Sequence, residues 1–146
     1  MTTQAINTPV AARTRTQRRG VNRALWVLQV LTAGVFVMAA LPKLTADPRA
    51  VAGFTMMGLG TSGMYIIGAL EVLGAIALLI PVLCGLAALA QVALMIGAVV
   101  TTLIFFGAGA VLVPPVAVLV VVSLIAWARR RRTVELVTLV RRYSRR

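Results

Sequence analysis

The sequence has no histidine, one cysteine and only three acidic residues among its 146 residues. Without histidine, the chain lacks the imidazole that serves most haem and many metal sites, and it lacks an imidazole proton shuttle. The single thiol, Cys84, excludes an intramolecular disulfide and a Cys-x-x-Cys redox pair, and its expected role is that of a small buried hydrophobe. We therefore predict no metal site, no covalently bound cofactor and no autonomous catalytic residues.

Charge is also scarce. Only 12% of the residues are charged, 60% are hydrophobic, and the mean hydropathy is +0.97. Ordinary soluble domains carry about 25% charged residues, so this composition predicts an integral membrane protein. A spanning helix needs about 20 apolar residues, so the chain has room for four spans with short loops.

The hydrophobic runs predict an all-α membrane domain over residues 24–128, built as a four-helix transmembrane bundle. Its predicted spans cover residues 25–41, 62–80, 83–106 and 110–127. Proline is expected to close the first two spans, at Pro42 and Pro81. The Pro114-Pro115 pair falls at the start of the fourth helix, where we expect a neighbouring helix to shelter the freed backbone groups.

Basic residues are concentrated in two tails, residues 1–23 and 129–146, and they account for most of the net charge of +12. Basic segments flank spans on the cytoplasmic side, so we predict a bacterial-type plasma membrane protein with both termini cytoplasmic. Anionic lipid headgroups are the expected partners of these tails, and no nucleic-acid reading motif accompanies them. Apolar residues between the basic runs of the second tail suit a helix on the membrane surface, which is also a docking surface for an acidic soluble partner.

The loop between the first two spans predicts a short extracytoplasmic helix. Asp47 is a typical N-cap, Pro48 suits the first turn, and Gly58 and Gly60 supply a stop after Met57. The alternative is a mobile loop.

Glu71 is the only Asp, Glu, Lys or Arg between Arg49 and Arg129. A charge at the centre of a membrane helix costs about 2.5–3.5 kcal/mol, so an intramembrane acid is a functional-site hypothesis by default. The alternative is a hydrogen-bonded structural acid that fixes helix packing. Gly68 and Gly74 share its helix face and predict close packing on a neighbouring helix.

Two other side chains are candidates to contact Glu71. Counting outward from the turn near Pro81 places Gln91 at similar depth, and we expect its amide to contact the Glu71 carboxyl. Lys43 lies at the outer end of the first span, and it either points inward to pair with Glu71 or extends to the headgroups. Further candidates for the lining of this site are Gln29, Thr101 and Thr102.

Three segments together resemble the DoxX and DoxX-like family of small four-span membrane proteins. They are Leu41-Pro42-Lys43-Leu44, the Asp47-Pro48 helix ending in Gly58-Leu59-Gly60, and the run from Gly68 to Ala75; the similarity covers about residues 24–130. The resemblance implies a four-helix membrane bundle with Lys43 and Glu71 as its signature polar positions. It also implies a link to redox or sulfur metabolism, because relatives include a membrane subunit of a thiosulfate:quinone oxidoreductase, although other relatives are described as chaperones.

Three functions follow as hypotheses. The first is an accessory or anchoring component of a membrane-associated redox system, with a soluble oxidoreductase as partner and a small hydrophobic ligand near Glu71. The second is a quinone-interacting oxidoreductase subunit, in which Glu71 takes up a proton and Lys43 steadies a polar head. The third is a small proton-linked transporter that acts as a homo-oligomer.

Overall fold

The computed structural model describes the backbone of residues 10–143 and the side chains of residues 22–129. Helices are the only regular structure in that backbone, which confirms the all-α prediction. The helices are α1 (Val10–Leu44), α2 (Pro48–Met56), α3 (Gly60–Leu79), α4 (Cys84–Phe106) and α5 (Val113–Tyr143), with a short 3-10 helix (Ala110–Leu112) before α5.

Four helical segments are long and apolar enough to cross a membrane, as predicted. They are Asn22–Leu44, Gly60–Leu79, Cys84–Phe106 and Ala110–Arg129. Their outer faces carry large apolar side chains in the open, such as Met38 and Ile104, each 69% exposed. Exposed apolar surface on this scale is unfavourable in water and suits contact with lipid chains.

The bundle is assembled from two helix pairs, with α1 packed mainly on α3 and α4 packed mainly on α5. A shared core joins the pairs, and all four spanning helices contribute to it. Its buried members are Ala33, Phe36, Ala75, Met95 and Val122. A second core cluster lies around Leu78 and Ile125. The apolar core thus fixes the positions of the helices that carry the buried polar residues.

The first spanning helix does not end at Pro42, and that prediction of its end is wrong. α1 continues to Leu44 with Pro42 inside its last turn. A proline removes its own backbone N–H donor and crowds the carbonyl four residues earlier, but it leaves the donors that follow it in place. The turn is still closed by two bonds, from the Thr45 amide to the Leu41 carbonyl (2.9 Å) and from the Asp47 amide to the Pro42 carbonyl (2.9 Å).

The Pro114-Pro115 pair also differs from expectation. α5 begins at Val113, so both prolines lie in its first turn. Backbone N–H groups in the first turn have no partner within the helix, and proline is favoured there. The pair therefore opens the helix without needing shelter from a neighbouring helix.

The basic segments are helical wherever the backbone is described. α1 begins at Val10, inside the predicted N-terminal tail, and α5 runs without a break to Tyr143. The described part of the C-terminal segment thus extends the helix of the fourth span. Residues 1–9 and 144–146 lie outside the described chain. The placement of the C-terminal segment on the membrane surface stays a prediction.

The short helix between the first two spans is confirmed as α2. The Asp47 carboxylate accepts a hydrogen bond from the Arg49 amide at 2.9 Å, and Pro48 occupies the first helical position. Phe54 is the buried residue of α2, which packs against α3. Gly58 and Gly60 follow with φ of 71° and 59°, a region that glycine enters without the cost a side chain imposes. These turns fold α2 back over the end of the bundle.

Candidate functional site

Lys43 and Glu71 form an ion pair between the first two spans. The Lys43 Nζ donates to Glu71 Oε2 at 2.7 Å and to Oε1 at 2.9 Å. The Glu71 side chain is only 5% exposed and the Lys43 side chain 17%. Of the two alternatives for Lys43, the structure shows the inward one. Each charge is thereby compensated inside the bundle, which is the condition under which buried charges are tolerated.

The Lys43 ammonium is fixed by a third contact as well. Its Nζ donates to the Ala39 carbonyl, one helical turn earlier, at 2.8 Å. This contact depends on the continuation of α1 past Pro42, because Lys43 then lies on the last turn of a regular helix. The lysine is held against its own helix while it reaches the neighbouring one.

Gly68 allows the two helices to approach closely at this pair. A Cβ at Gly68 would lie 3.1 Å from the Lys43 Cβ and 3.1 Å from the Leu44 Cδ2, tighter than ordinary contact. The missing side chain lets α1 lie against α3 where the ion pair forms. Gly68 was predicted to allow close helix packing, and in the structure it allows Lys43 to lie close to the helix that carries Glu71.

Gln91 lies beside Glu71 at the predicted depth, but the predicted contact with the carboxyl is wrong. The Gln91 Nε2 donates to the backbone carbonyl of Glu71 at 3.3 Å. The reason lies one turn along α3, where a Cβ at Gly74 would overlap the Gln91 amide. Because Gly74 has no side chain, the amide reaches the α3 backbone. Gln91 thus supports the helix that carries Glu71 and leaves the carboxylate to Lys43.

A cavity of about 370 Å³ adjoins the ion pair, and both Lys43 and Glu71 lie in its wall. The helix α2 contributes Phe54, Met57 follows at its C-terminal end, and α4 supplies most of the remaining wall. The lining is otherwise mainly apolar, with the residues Leu59, Ile67, Ala93, Leu94, Met95, Gly97, Ala98, Thr101, Thr102 and Phe106. An apolar cavity with a few convergent polar groups is the usual form of a small-molecule site.

Both threonines proposed for the lining, Thr101 and Thr102, lie in the wall of this cavity. The Thr101 hydroxyl is directed to its own helix, where it contacts the Gly97 carbonyl (2.9 Å) and the Ala98 carbonyl (3.1 Å). Such back-bonding satisfies threonine inside membrane helices. The principal charged groups facing the cavity are therefore the ammonium and the carboxylate.

Gln29, the other proposed lining residue, is not at this site. It belongs to a second polar cluster, where its Oε1 accepts from the Arg129 Nη2 at 3.1 Å. Arg129 Nη1 also donates to the Asn22 Oδ1 at 3.0 Å, and Arg129 is only 4% exposed. This cluster ties the start of the first span to the end of the fourth.

Sequence reasoning assigned Arg129 to the basic tail and missed its burial. A signal was present, because a four-span chain brings the start of its first span and the end of its last to the same membrane face. The depth argument that matched Gln91 with Glu71 could also have matched Gln29 with Arg129. Cys84, by contrast, is buried as expected, and its thiol donates to the Pro81 carbonyl at 3.2 Å.

Comparison with known proteins finds a family model that matches the segment carrying this site. The model of the DoxX-like family matches residues 27–126, a segment that includes Lys43, Glu71 and Gln91. No curated protein matches the chain. No solved structure matches it either.

Proposed function

The chain belongs to the DoxX-like family of membrane proteins, and we propose that it is a ligand-holding accessory component of a membrane-associated redox system. The observation that carries this proposal is the Lys43–Glu71 pair in the wall of an apolar cavity. An ion pair that served helix packing alone would not be made more stable by an open cavity beside it. Hydrophobic residues of similar volume often stabilise a core as well as a buried ion pair does.

The size and lining of the cavity support a small hydrophobic ligand. Ligand pockets in proteins enclose about 300–1,000 Å³, and this cavity of about 370 Å³ lies at the lower end of that range. Apolar walls provide the binding energy, while a few fixed polar groups orient the ligand. The Glu71 carboxylate is such a group: Lys43 holds it in place, and the Ala39 carbonyl holds the Lys43 ammonium in turn.

The accessory role is supported by the resemblance to redox-linked relatives and by the residues of the chain. The sequence has no histidine and one cysteine. In this proposal the redox cofactor belongs to a soluble oxidoreductase, and the bundle anchors that partner at the membrane. The basic C-terminal segment after the buried Arg129, residues 130–146, is the proposed docking surface for an acidic face of the partner.

A quinone-interacting oxidoreductase subunit is the second candidate, and the cavity is the observation that favours it. A quinone ring seated there would lie beside the Glu71 carboxylate, which can take up a proton. The Lys43 ammonium could steady a carbonyl oxygen of the ring only by giving up one of its present contacts. The two candidates differ in turnover, because the accessory protein holds its ligand unchanged. The homo-oligomeric proton-linked transporter stays a prediction from the sequence.

The proposed setting is a bacterial-type plasma membrane with both termini in the cytoplasm. It is supported by the four spans and by the basic residues that flank the first and the last of them. Anionic headgroups at that face are the proposed lipid partners of the two basic segments.

Native mass spectrometry of the protein purified in mild detergent tests the proposal. We expect wild type to carry a small hydrophobic molecule and to retain a soluble oxidoreductase, and we expect Glu71→Gln to lose the small molecule. Gly97→Leu should also lose it, because Gly97 lines the cavity and has open space where a side chain would begin.

Gly34→Leu is the matched control, since Gly34 lies in α1 with open space around it and outside the lining of this cavity. It should retain the ligand. Equal ligand content in Gly97→Leu and Gly34→Leu would contradict the cavity as the binding site. A wild type that carries a ligand but never an oxidoreductase would contradict the redox role alone.

A further inference from the structure

The hydrogen-bonding capacity of the Lys43 ammonium is already used. An ammonium has three donors. Three oxygens surround the Lys43 Nζ within hydrogen-bond distance, namely the Ala39 carbonyl at 2.8 Å and the two Glu71 carboxylate oxygens at 2.9 and 2.7 Å. No proton of Lys43 is left over for a ligand while this arrangement holds.

The Glu71 carboxylate, by contrast, retains capacity. A carboxylate offers about four lone-pair sites on its two oxygens. Among the described side chains, Lys43 is the group that donates to these oxygens, and it uses one site on each. The unused polar capacity beside the cavity is therefore that of an acceptor, which a hydrogen-bond donor on the ligand would satisfy.

Charge balance restricts the ligand further. Lys43 and Glu71 neutralise each other, and the rest of the lining carries no charged side chain. A ligand with a charge of its own would bury that charge without a counter-charge, which is strongly unfavourable. An anion would in addition face the unused side of the Glu71 carboxylate.

The shape of the cavity indicates the form of the apolar part of the ligand. On α4 its lining extends from Ala93 to Phe106, a distance of about 20 Å along the helix at the standard rise. The lining residues between these ends include Met95, Ala98 and Thr102. An elongated, mainly apolar space suits a ring or chain with a polar group at one end.

From these contacts we propose that the site selects an uncharged, elongated apolar molecule that donates a hydroxyl hydrogen bond to Glu71, the chemistry of a phenol or an alcohol. This inference rests on the proposed ligand-holding function and gives that ligand a chemical class. For a redox-active ring, it selects the hydroxyl-bearing reduced form over the carbonyl-bearing oxidised form.

Three matched probes test the proposal in nanodiscs of phosphatidylcholine. They are para-hexylphenol, which has a donor, its methyl ether, which only accepts, and para-hexylbenzoate, which is an anion. Fluorine NMR of ring-fluorinated versions reports binding, with affinities compared at equal mole fraction in the bilayer. We expect the phenol to bind about tenfold more tightly than the ether, since a hydrogen bond to a charged group has about this effect. We expect the benzoate to bind weakest.

Glu71→Gln should change this ranking, because it removes the carboxylate and frees the Lys43 donors. In that variant we expect the benzoate to bind at least as tightly as the phenol. Gln29→Leu, which alters the distant Arg129 cluster, should keep the wild-type ranking. The wild-type ranking decides the question even if Glu71→Gln fails to fold.

The outcomes distinguish a failure of the donor requirement from a failure of the ligand-holding function. If the ether or the benzoate matches the phenol in wild type, and Gly97→Leu abolishes binding, the cavity holds ligands but the donor requirement is wrong. If no probe binds to wild type, or if Gly97→Leu leaves all binding unchanged, the ligand-holding function itself is contradicted.

Discussion

The two polar clusters of the bundle differ in what lies beside them. At one end Lys43 meets a carboxylate, and the pair lines a cavity. At the other end the Arg129 guanidinium meets the amide oxygens of Gln29 and Asn22 and joins α1 to α5. The Glu71 carboxylate keeps acceptor capacity beside the cavity, whereas the amides of Gln29 and Asn22 link the guanidinium to α1. We therefore expect ligand chemistry at the first cluster and helix anchoring at the second.

The largest effect should come from breaking the ion pair on one side. Lys43→Met or Glu71→Leu alone leaves a buried charge without compensation and should lower the free energy of unfolding by about 3 kcal/mol. The double variant should recover most of that loss, because a well-packed apolar pair replaces the ionic one. Unfolding of all four proteins in mixed micelles with rising SDS content measures this cycle. Additive losses in the double variant would mean that the two side chains are not coupled.

Gln29→Leu should produce a smaller loss and should leave the ligand in place. It removes an acceptor from a buried guanidinium, and the expected decrease in the free energy of unfolding is about 2 kcal/mol. Gln29→Glu keeps an acceptor at the same position and serves as the control, with stability near that of wild type. The same SDS titration measures stability, and mass spectrometry measures the ligand. A ligand lost in Gln29→Leu would remove the distinction between the two clusters.

Gly74→Ala should have the smallest effect, because it acts on the support behind Glu71. The added methyl group would displace the Gln91 amide from the Glu71 carbonyl. The net expected loss is about 1 kcal/mol, since alanine also favours the helix. Gly34→Ala, in open space, should be neutral or stabilising. In a Gln91→Ala background the same Gly74→Ala change should cost nothing, and a cost that persists there would show that Gln91 is not the residue being displaced.

The sequence was sufficient to predict the four spans and the short helix after the first of them. Both depend on local signals, namely the length of apolar runs and the Asp47-Pro48 start. The end of α1 near Pro42 and the start of α5 at Pro114-Pro115 were less predictable. A proline removes one donor wherever it lies, and its position in the turn decides whether the helix stops.

The site itself was predictable only in part. Residue depth placed Gln91 level with Glu71 and left Lys43 with two alternatives, pairing with Glu71 or extending to the headgroups. Depth does not set the direction of a side chain. Gly74 leaves the space that the Gln91 amide enters, and Gly68 lets Lys43 and Leu44 lie against α3. The burial of Arg129 depends on the packing of the first span against the last, and an arginine in a basic run carries no local sign of it.

The most direct test of the central claim compares bound small molecules in wild type, in Gln29→Leu and in the Lys43→Met/Glu71→Leu double variant. All three proteins are extracted from membranes under identical conditions and examined by native mass spectrometry. We predict the same hydrophobic molecule in wild type and Gln29→Leu, and none in the double variant although it remains folded. A folded double variant that keeps the molecule would contradict a ligand site at the Lys43–Glu71 pair.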